Sequence, residues 1–205
     1  MTERSDVDLM LAIKAGDEGA FSVLVNRHRN SIVNLTYRYL GNRADAEDLA
    51  QEVFLKVYRA RQRYEPRAKF TTWLYRVAVN ASLNEVRNRK SRPTHGAAPL
   101  TGADDSDFVP SLADHGAESP PEGVEREELK EQVRAAVDDL PDRQKMALLL
   151  NKFHGLSYED LSETMEMTIP AIKSLLVRAR ENVRRRIEPY LSSGAGPITG
   201  QRGTA

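Results

Sequence analysis

Between Ser91 and Gly123 the chain carries five prolines, Pro93, Pro99, Pro110, Pro120 and Pro121, set among Gly, Ala, Ser and Asp without any sustained hydrophobic period. Such a segment cannot bury enough apolar surface to offset the entropy of ordering it. It cannot run through the middle of one core, so the 205 residues divide into two small units. The expected organisation is a first domain over 1–92, an acidic Pro/Gly-rich linker over 93–123, a second domain over 124–191 and a disordered tail over 192–205.

Both domains read as helical, because period-2 alternation is nowhere long enough for a strand. In the first, Ala20, Phe21, Leu24 and Val25 open an apolar stripe that Ile32, Leu35, Thr36 and Tyr39 continue, and Gly41-Asn42 ends that helix. A second helix is expected from about Ala44 to Arg63. Another starts near Thr71 or Thr72, either of which can cap it, and runs to about Lys90. The second domain opens with a helix over about Val124–Asp139. The next begins at Pro141 or Asp142 and stops at His154-Gly155. Ser157-Tyr158-Glu159-Asp160 is a capping box for a helix to Met165. Thr168 can cap a last helix to about Ile187, with Pro170 tolerated in its first turn. A short helix, a tight turn and a longer basic helix make the helix-turn-helix plan. The fold class is therefore all-α, two small helical domains joined by a flexible linker.

Net charge is zero, yet charge is segregated. Val57–Arg92 holds ten basic residues against two acids, Pro170–Arg186 holds six against one, and Thr94–Glu128 holds nine acids against one Arg. Two basic segments flanking an acidic one suit two polyanion-binding surfaces on a tether, although ordinary solvated faces also produce such runs.

Helical spacing sorts the candidate residues. After Thr72, Leu74, Val77, Ala78 and Ala81 make the buried face, while Trp73, Arg76, Asn80, Asn84 and Arg87 share another. Asn can bond base edges, Arg can pair with phosphate, and Trp can stack on an unpaired base. The alternative is a polar outer face whose Trp tucks back into the core. On the helix from Ala44, Ala46, Ala50, Val53 and Val57 form the core stripe, with Phe54 beside them. Asp45, Asp48 and Glu52 share a polar face, with Gln51 nearer the opposite flank. Phosphates repel such a face, so it fits a basic protein partner. Helix-dipole placement accounts equally for Asp45 and Asp48 but poorly for Glu52. In the last helix Ile172, Leu176, Ala179 and Val183 point inward. Ala171, Ser174, Arg178 and Arg185 lie opposite, flanked by Lys173 and Arg184. A recognition helix reads bases with its N-terminal residues and grips phosphates with basic ones.

Other classes find little support. There is no Cys, so no disulfide or thiolate chemistry. His28, His95, His115 and His154 show no metal-type spacing, and no phosphate loop or nucleophile elbow is present. No enzyme activity, cofactor or metal is expected. The N-terminal apolar run is too short and too charged for a secretory signal, and no stretch matches a membrane span, so a soluble, cytoplasmic protein is expected. A helix-turn-helix regulator acting on duplex DNA alone remains a rival, but it leaves Trp73, Asn80 and the acidic face without a role.

Three stretches carry a resemblance: DAEDLAQEVFLKVYRA (Asp45–Ala60), FTTWLYRVAVNASLNEVRNRK (Phe70–Lys90), and LPDRQKMALLLNKFHGLSYEDLSETM with AIKSLLVRAR (Leu140–Arg180). In order and spacing they resemble an extracytoplasmic-function sigma factor of bacterial RNA polymerase. The resemblance implies that Asp45, Asp48, Gln51 and Glu52 bind core polymerase. It implies a base-capturing loop over Arg63–Phe70, and a −10 reading helix with Trp73, Arg76, Asn80 and Asn84, Arg87 following on the same face. It implies that Pro170, Ala171, Lys173, Ser174 and Arg178 read the −35 element as duplex. The implied partners are core RNA polymerase, promoter DNA both duplex and melted, and an anti-sigma factor, often membrane-anchored, with no membrane insertion of the chain itself. Some positions depart from the family pattern. Glu166 stands where the turn commonly has Gly, Pro170-Ala171 replaces Gly-Thr, Leu175 replaces Arg, and Val177 replaces His. These departures bear on the −35 preference, and a non-Gly turn residue bears on the angle of the recognition helix.

Overall fold

In a computed structural model of the chain, residues 4–91 and 124–192 are described. The expected linker and most of the expected tail lie outside the described residues, as do His95 and His115. Every regular element among the described residues is helical. The N-terminal unit comprises α1 (Asp6–Lys14), α2 (Glu18–Leu40), α3 (Arg43–Ala60), a 3-10 turn (Arg61–Arg63) and α4 (Phe70–Ser91). The C-terminal unit comprises α5 (Val124–Asp138), α6 (Asp142–Phe153), α7 (Tyr158–Met165) and α8 (Ile169–Ser192).

Helix α1 was not foreseen from hydrophobic period, although its start is encoded. The Ser5 side chain accepts from the Asp8 N–H, and the Asp8 carboxylate accepts from the Ser5 N–H and hydroxyl. The helix then buries Leu9, Met10 and Ile13. Fully burying each such side chain contributes roughly 1.5–3 kcal/mol, which explains why so short a helix holds. Asp6 ties α1 to α2 by pairing with Arg27 and with His28 Nε2.

Helix α2 ends where Gly41 takes the left-handed conformation, φ 78°, and its N–H returns to the Tyr37 carbonyl. Asn42 then caps α3. Where the two helices cross, Thr36 is fully buried and its hydroxyl lies 2.9 Å from the Ala46 carbonyl. The small Ala46 side chain allows that approach. Helix α3 stops at Ala60 rather than Arg63, because the chain tightens into the 3-10 turn. The Arg61 guanidinium donates to the Tyr58 carbonyl at 2.9 Å and lies over the Tyr58 ring.

Helix α4 starts at Phe70, so neither Thr71 nor Thr72 caps it; the Trp73 N–H already donates to the Lys69 carbonyl. Thr72 lies within the first turn and is buried. Leu74, Ala78 and Ala81 are buried as expected, and Val77 is half-buried against the core.

In the C-terminal unit the capping box at Ser157/Asp160 forms, His154 is the C-cap residue of α6, and Gly155 has φ 64°. The turn before α8 places Glu166 in the left-handed region, φ 54° and ψ 48°; it is the one non-Gly residue with positive φ among the described residues. The Thr168 hydroxyl accepts from the Ala171 N–H at 3.4 Å and caps α8. Helix α8 buries Ile172, Leu176, Ala179 and Val183 and runs five residues beyond the expected Ile187. Pro189 lies inside it near the end, where the ring removes a backbone donor late in the helix, and the Ser192 hydroxyl bonds the Glu188 carbonyl.

Candidate polymerase and nucleic-acid interface

The acidic face of α3 is exposed at Asp48, Gln51 and Glu52. Asp45 is half-buried and accepts from Arg89 of α4 at 2.9 Å, while Glu52 pairs with Lys56 one turn on at 2.7 Å. Asp48 is the face's central acid. Beside it, Phe21, Val25 and Val33 of α2 and Ala50, Phe54 and Leu55 of α3 line an apolar groove that Gln51 also borders. Leu55 is 51% exposed. Spacing arguments missed this groove. The signal was available, since Leu55 lies outside the core stripe of α3.

The second feature is a concavity at the start of α4, lined by Arg63, Tyr64, Glu65, Arg67, Ala68, Trp73 and Arg76. An aromatic cluster forms its floor. Tyr64 and Trp73 meet edge-on with centroids 5.1 Å apart, Phe70 lies 5.8 Å from Trp73, and His28 of α2 lies 5.5 Å from Phe70. Lys14 of α1 donates to the Tyr64 carbonyl at 3.1 Å, and Gln62 donates to the Lys14 carbonyl, so the unforeseen α1 holds this loop in place. Burial pushes the Tyr64 phenol above its ordinary pKa, with the Asp6 carboxylate adding to the effect.

The structure changes the expectation for Phe70. It is 3% exposed and supports Trp73 from within, so its ring is not open to a nucleotide in this conformation. Trp73 itself is half-buried and lines the concavity. Arg63, Asn80, Asn84 and Arg87 are exposed. Basic side chains and an aromatic edge around one hollow can hold an unstacked base, while the amides of Asn80 and Asn84 lie further along α4.

The third surface is the outer face of α8. Pro170, Lys173, Ser174 and Arg178 are exposed and Ala171 is half-buried, as the spacing predicts. The Lys173 ammonium stands over the Tyr158 ring at 5.9 Å. Val177 is 58% exposed on the same helix.

The two units are in contact along α4. Asp160 of α7 receives Lys69 at 3.3 Å and the Thr72 hydroxyl at 3.4 Å. Arg76 faces Glu166 at 3.8 Å, and Lys90 pairs with Asp142 of α6 at 2.8 Å. The Tyr75 hydroxyl and His154 Nδ1 share a hydrogen bond of 3.0 Å, and Arg38 stacks over Phe153 at 4.0 Å. Burial, reinforced by the nearby Arg38 charge, pushes His154 down to about 4. Burial opposes ionisation of Asp160, yet hydrogen bonds from Ser157 and Lys69 outweigh it and hold the carboxyl below its ordinary value.

A model of sigma-70 region 2 matches residues 24–92, and a model of sigma-70 region 4 matches residues 130–183. The RNA polymerase sigma-H factor of Pseudomonas aeruginosa is 34% identical over 191 residues, covering 93% of this chain and 98% of that protein. The ECF RNA polymerase sigma-E factor of Haemophilus influenzae is 33% identical, covering 91% and 97%. Among solved structures, CnrH in complex with the cytosolic domain of CnrY has a TM-score of 0.63 at 18% identity, covering 94% of this chain and 100% of that one. The sigma factor RpoE in complex with the anti-sigma factor NepR, from Bartonella quintana, has a TM-score of 0.57 at 21% identity, covering 82% and 96%. These two share the fold.

Proposed function

Since the chain belongs to the sigma-70 family, as a promoter-directing initiation factor of the extracytoplasmic-function type, we propose that its surfaces divide the work as follows. The α3 face, with Asp48 at its centre and Asp45, Gln51 and Glu52 around it, docks on a basic surface of core RNA polymerase. The hollow at the start of α4 captures non-template bases of the −10 element, with Trp73 as the stacking edge and Arg63 and Arg76 on its rim. Asn80, Asn84 and Arg87 continue the strand contact along α4. The N-terminal end of α8 enters the −35 major groove through Pro170, Ala171, Lys173, Ser174 and Arg178. Flipping a base costs a few kcal/mol, which stacking and hydrogen bonds in the hollow must recover.

The observation that carries this reading is the juxtaposition within one unit of an exposed acidic helix face and an aromatic-floored, basic-rimmed hollow. Divided domains, 1–92 and 124–191 about the tether 93–123, let the two DNA surfaces reach separate elements. An anti-sigma factor is the natural further partner: two proteins of this fold were solved with such partners or a cytosolic domain bound. A membrane-anchored one would hold the chain at the inner membrane, while the chain itself works with polymerase in the cytoplasm. No described helix is long and apolar enough to cross a membrane.

Transcription reconstituted with purified core polymerase tests the whole. Asp48→Arg is expected to weaken core binding at least about tenfold, the scale of a centrally placed interface charge, with an unchanged circular dichroism spectrum. Unaltered core affinity would remove the α3 face from the account.

A further inference from the structure

Helix α8 sets two apolar side chains, Leu175 and Val177, on either side of the buried Leu176. Only one of them faces outward. Leu175 is half-buried and packs against the core, whereas Val177 is 58% exposed. With the exposed Pro170 and Ser174, Val177 completes the positions i, i+4 and i+7, which form one line along the outer face of the helix. The buried line of Ile172, Leu176, Ala179 and Val183 runs along the opposite side. At 1.5 Å per residue the outward line is roughly 10 Å long, about three base pairs of a groove.

Charge stands beside this line and not on it. Lys173 flanks it on one side, held over the Tyr158 ring of α7, and Arg178 flanks it on the other. Glu181 is the next residue on the line, and phosphates repel its carboxylate, so the stretch that can approach DNA ends with Val177 and Arg178. One exposed valine on a helix is ordinary. This one stands where the helix would face the floor of the groove, between two cations placed for the phosphates on either side. The apolar group that the major groove offers there is the C5-methyl of thymine.

We propose that Val177 is a specificity-determining residue: its side chain packs on the C5-methyl of a thymine in the −35 element. A polar residue at this position would bond a base edge, whereas valine has neither donor nor acceptor and gains only from covering a methyl group. The proposal rests on the reading of α8 as the −35 helix and adds a base that this helix demands.

Holoenzyme assembled from the full chain and core polymerase selects from a pool of promoter duplexes whose −35 block is random. The best duplex is then remade with uracil in place of each thymine in turn. Uracil keeps the hydrogen-bonding edge and lacks only the methyl. One such replacement is expected to weaken binding about fourfold, the scale of one buried methyl group. Val177→Ala and Val177→Asn are expected to lose that preference, with unchanged circular dichroism spectra, because the side chain they replace is exposed. The proposal is overturned if no uracil replacement weakens binding. It is equally overturned if the penalty survives undiminished in both variants, since another side chain would then read the methyl. Lys173→Ala and Arg178→Ala test the underlying reading separately. Lys173→Ala is expected to weaken binding to every duplex alike and to lower the salt slope by about one. If both variants leave duplex affinity unchanged, α8 is not the −35 helix. If they weaken binding while every uracil duplex binds like its thymine counterpart, only the role of Val177 fails.

Discussion

Phe70 and Trp73 stand three positions apart in sequence and have different duties. Phe70 is enclosed by His28, Tyr64 and Trp73, whereas Trp73 keeps an edge on the hollow. Phe70→Ala should cost about 3–5 kcal/mol of stability, the usual scale for emptying a buried aromatic site. Trp73→Ala should cost only about 1–2 kcal/mol yet abolish promoter opening. Chemical denaturation together with permanganate footprinting of the melted region distinguishes them. Equal stability losses would show that Trp73 is mainly a core residue. Hydrophobic period alone could not divide this pair, because both are large aromatics beside a basic loop. The division comes from the partners that α2 and the loop before α4 bring to Phe70.

Among the elements, the α7–α8 turn is the one whose local chemistry departs from its geometry. The left-handed residue Glu166 bears a side chain where glycine carries no penalty. Glu166→Gly is expected to raise the stability of the chain by about 0.5–1 kcal/mol, the strain relieved less the extra unfolded-state entropy of glycine. The measurement belongs at about 0.5 M salt, where the exposed Arg76 pair is screened and does not obscure the gain. A fall in stability there would mean that the turn is not strained. The capping boxes at Ser5/Asp8 and Ser157/Asp160 are both local signals, and the second was legible because an apolar helix and a turn flanked it. The first escaped notice because α1 is short and its three buried residues have no periodic continuation.

For the molecule as a whole, His154 makes the contact between the two units sensitive to acid. Its Nδ1 is engaged by Tyr75 and its buried Nε2 has no hydrogen-bond partner among the described residues. A proton added to the ring would therefore be buried without an acceptor and near Arg38. The ring's pKa is depressed from 6.5 to about 4 in this arrangement. An opened or unfolded chain thus binds the proton first, and stability falls as pH drops from about 6.5 towards 4. Above that window this contribution is complete. Asp160, held below its ordinary range, adds a further loss only at lower pH. The thermal unfolding midpoint should shift between pH 7 and 5, within that window. His154→Gln should flatten the shift; a shift that persists in the variant would assign it elsewhere.

The positions of α2 to α8 to within a few residues, the buried stripes of α2, α3 and α8, the helix-turn-helix and the exposed residues of the α8 face were contained in the sequence, whereas α1 was not read from it. Each depends on contacts within about one helical turn and on the 3.6-residue period that aligns them. Three matters were decided only by tertiary structure. These are the aromatic floor beneath Trp73, the apolar groove beside Asp48, and the pairing of α4's cations with acids of the other unit. Each joins residues far apart along the chain, Lys69 with Asp160 and Arg76 with Glu166 among them. No local period records such a pairing, because the energy that creates it appears only when two already amphipathic surfaces meet.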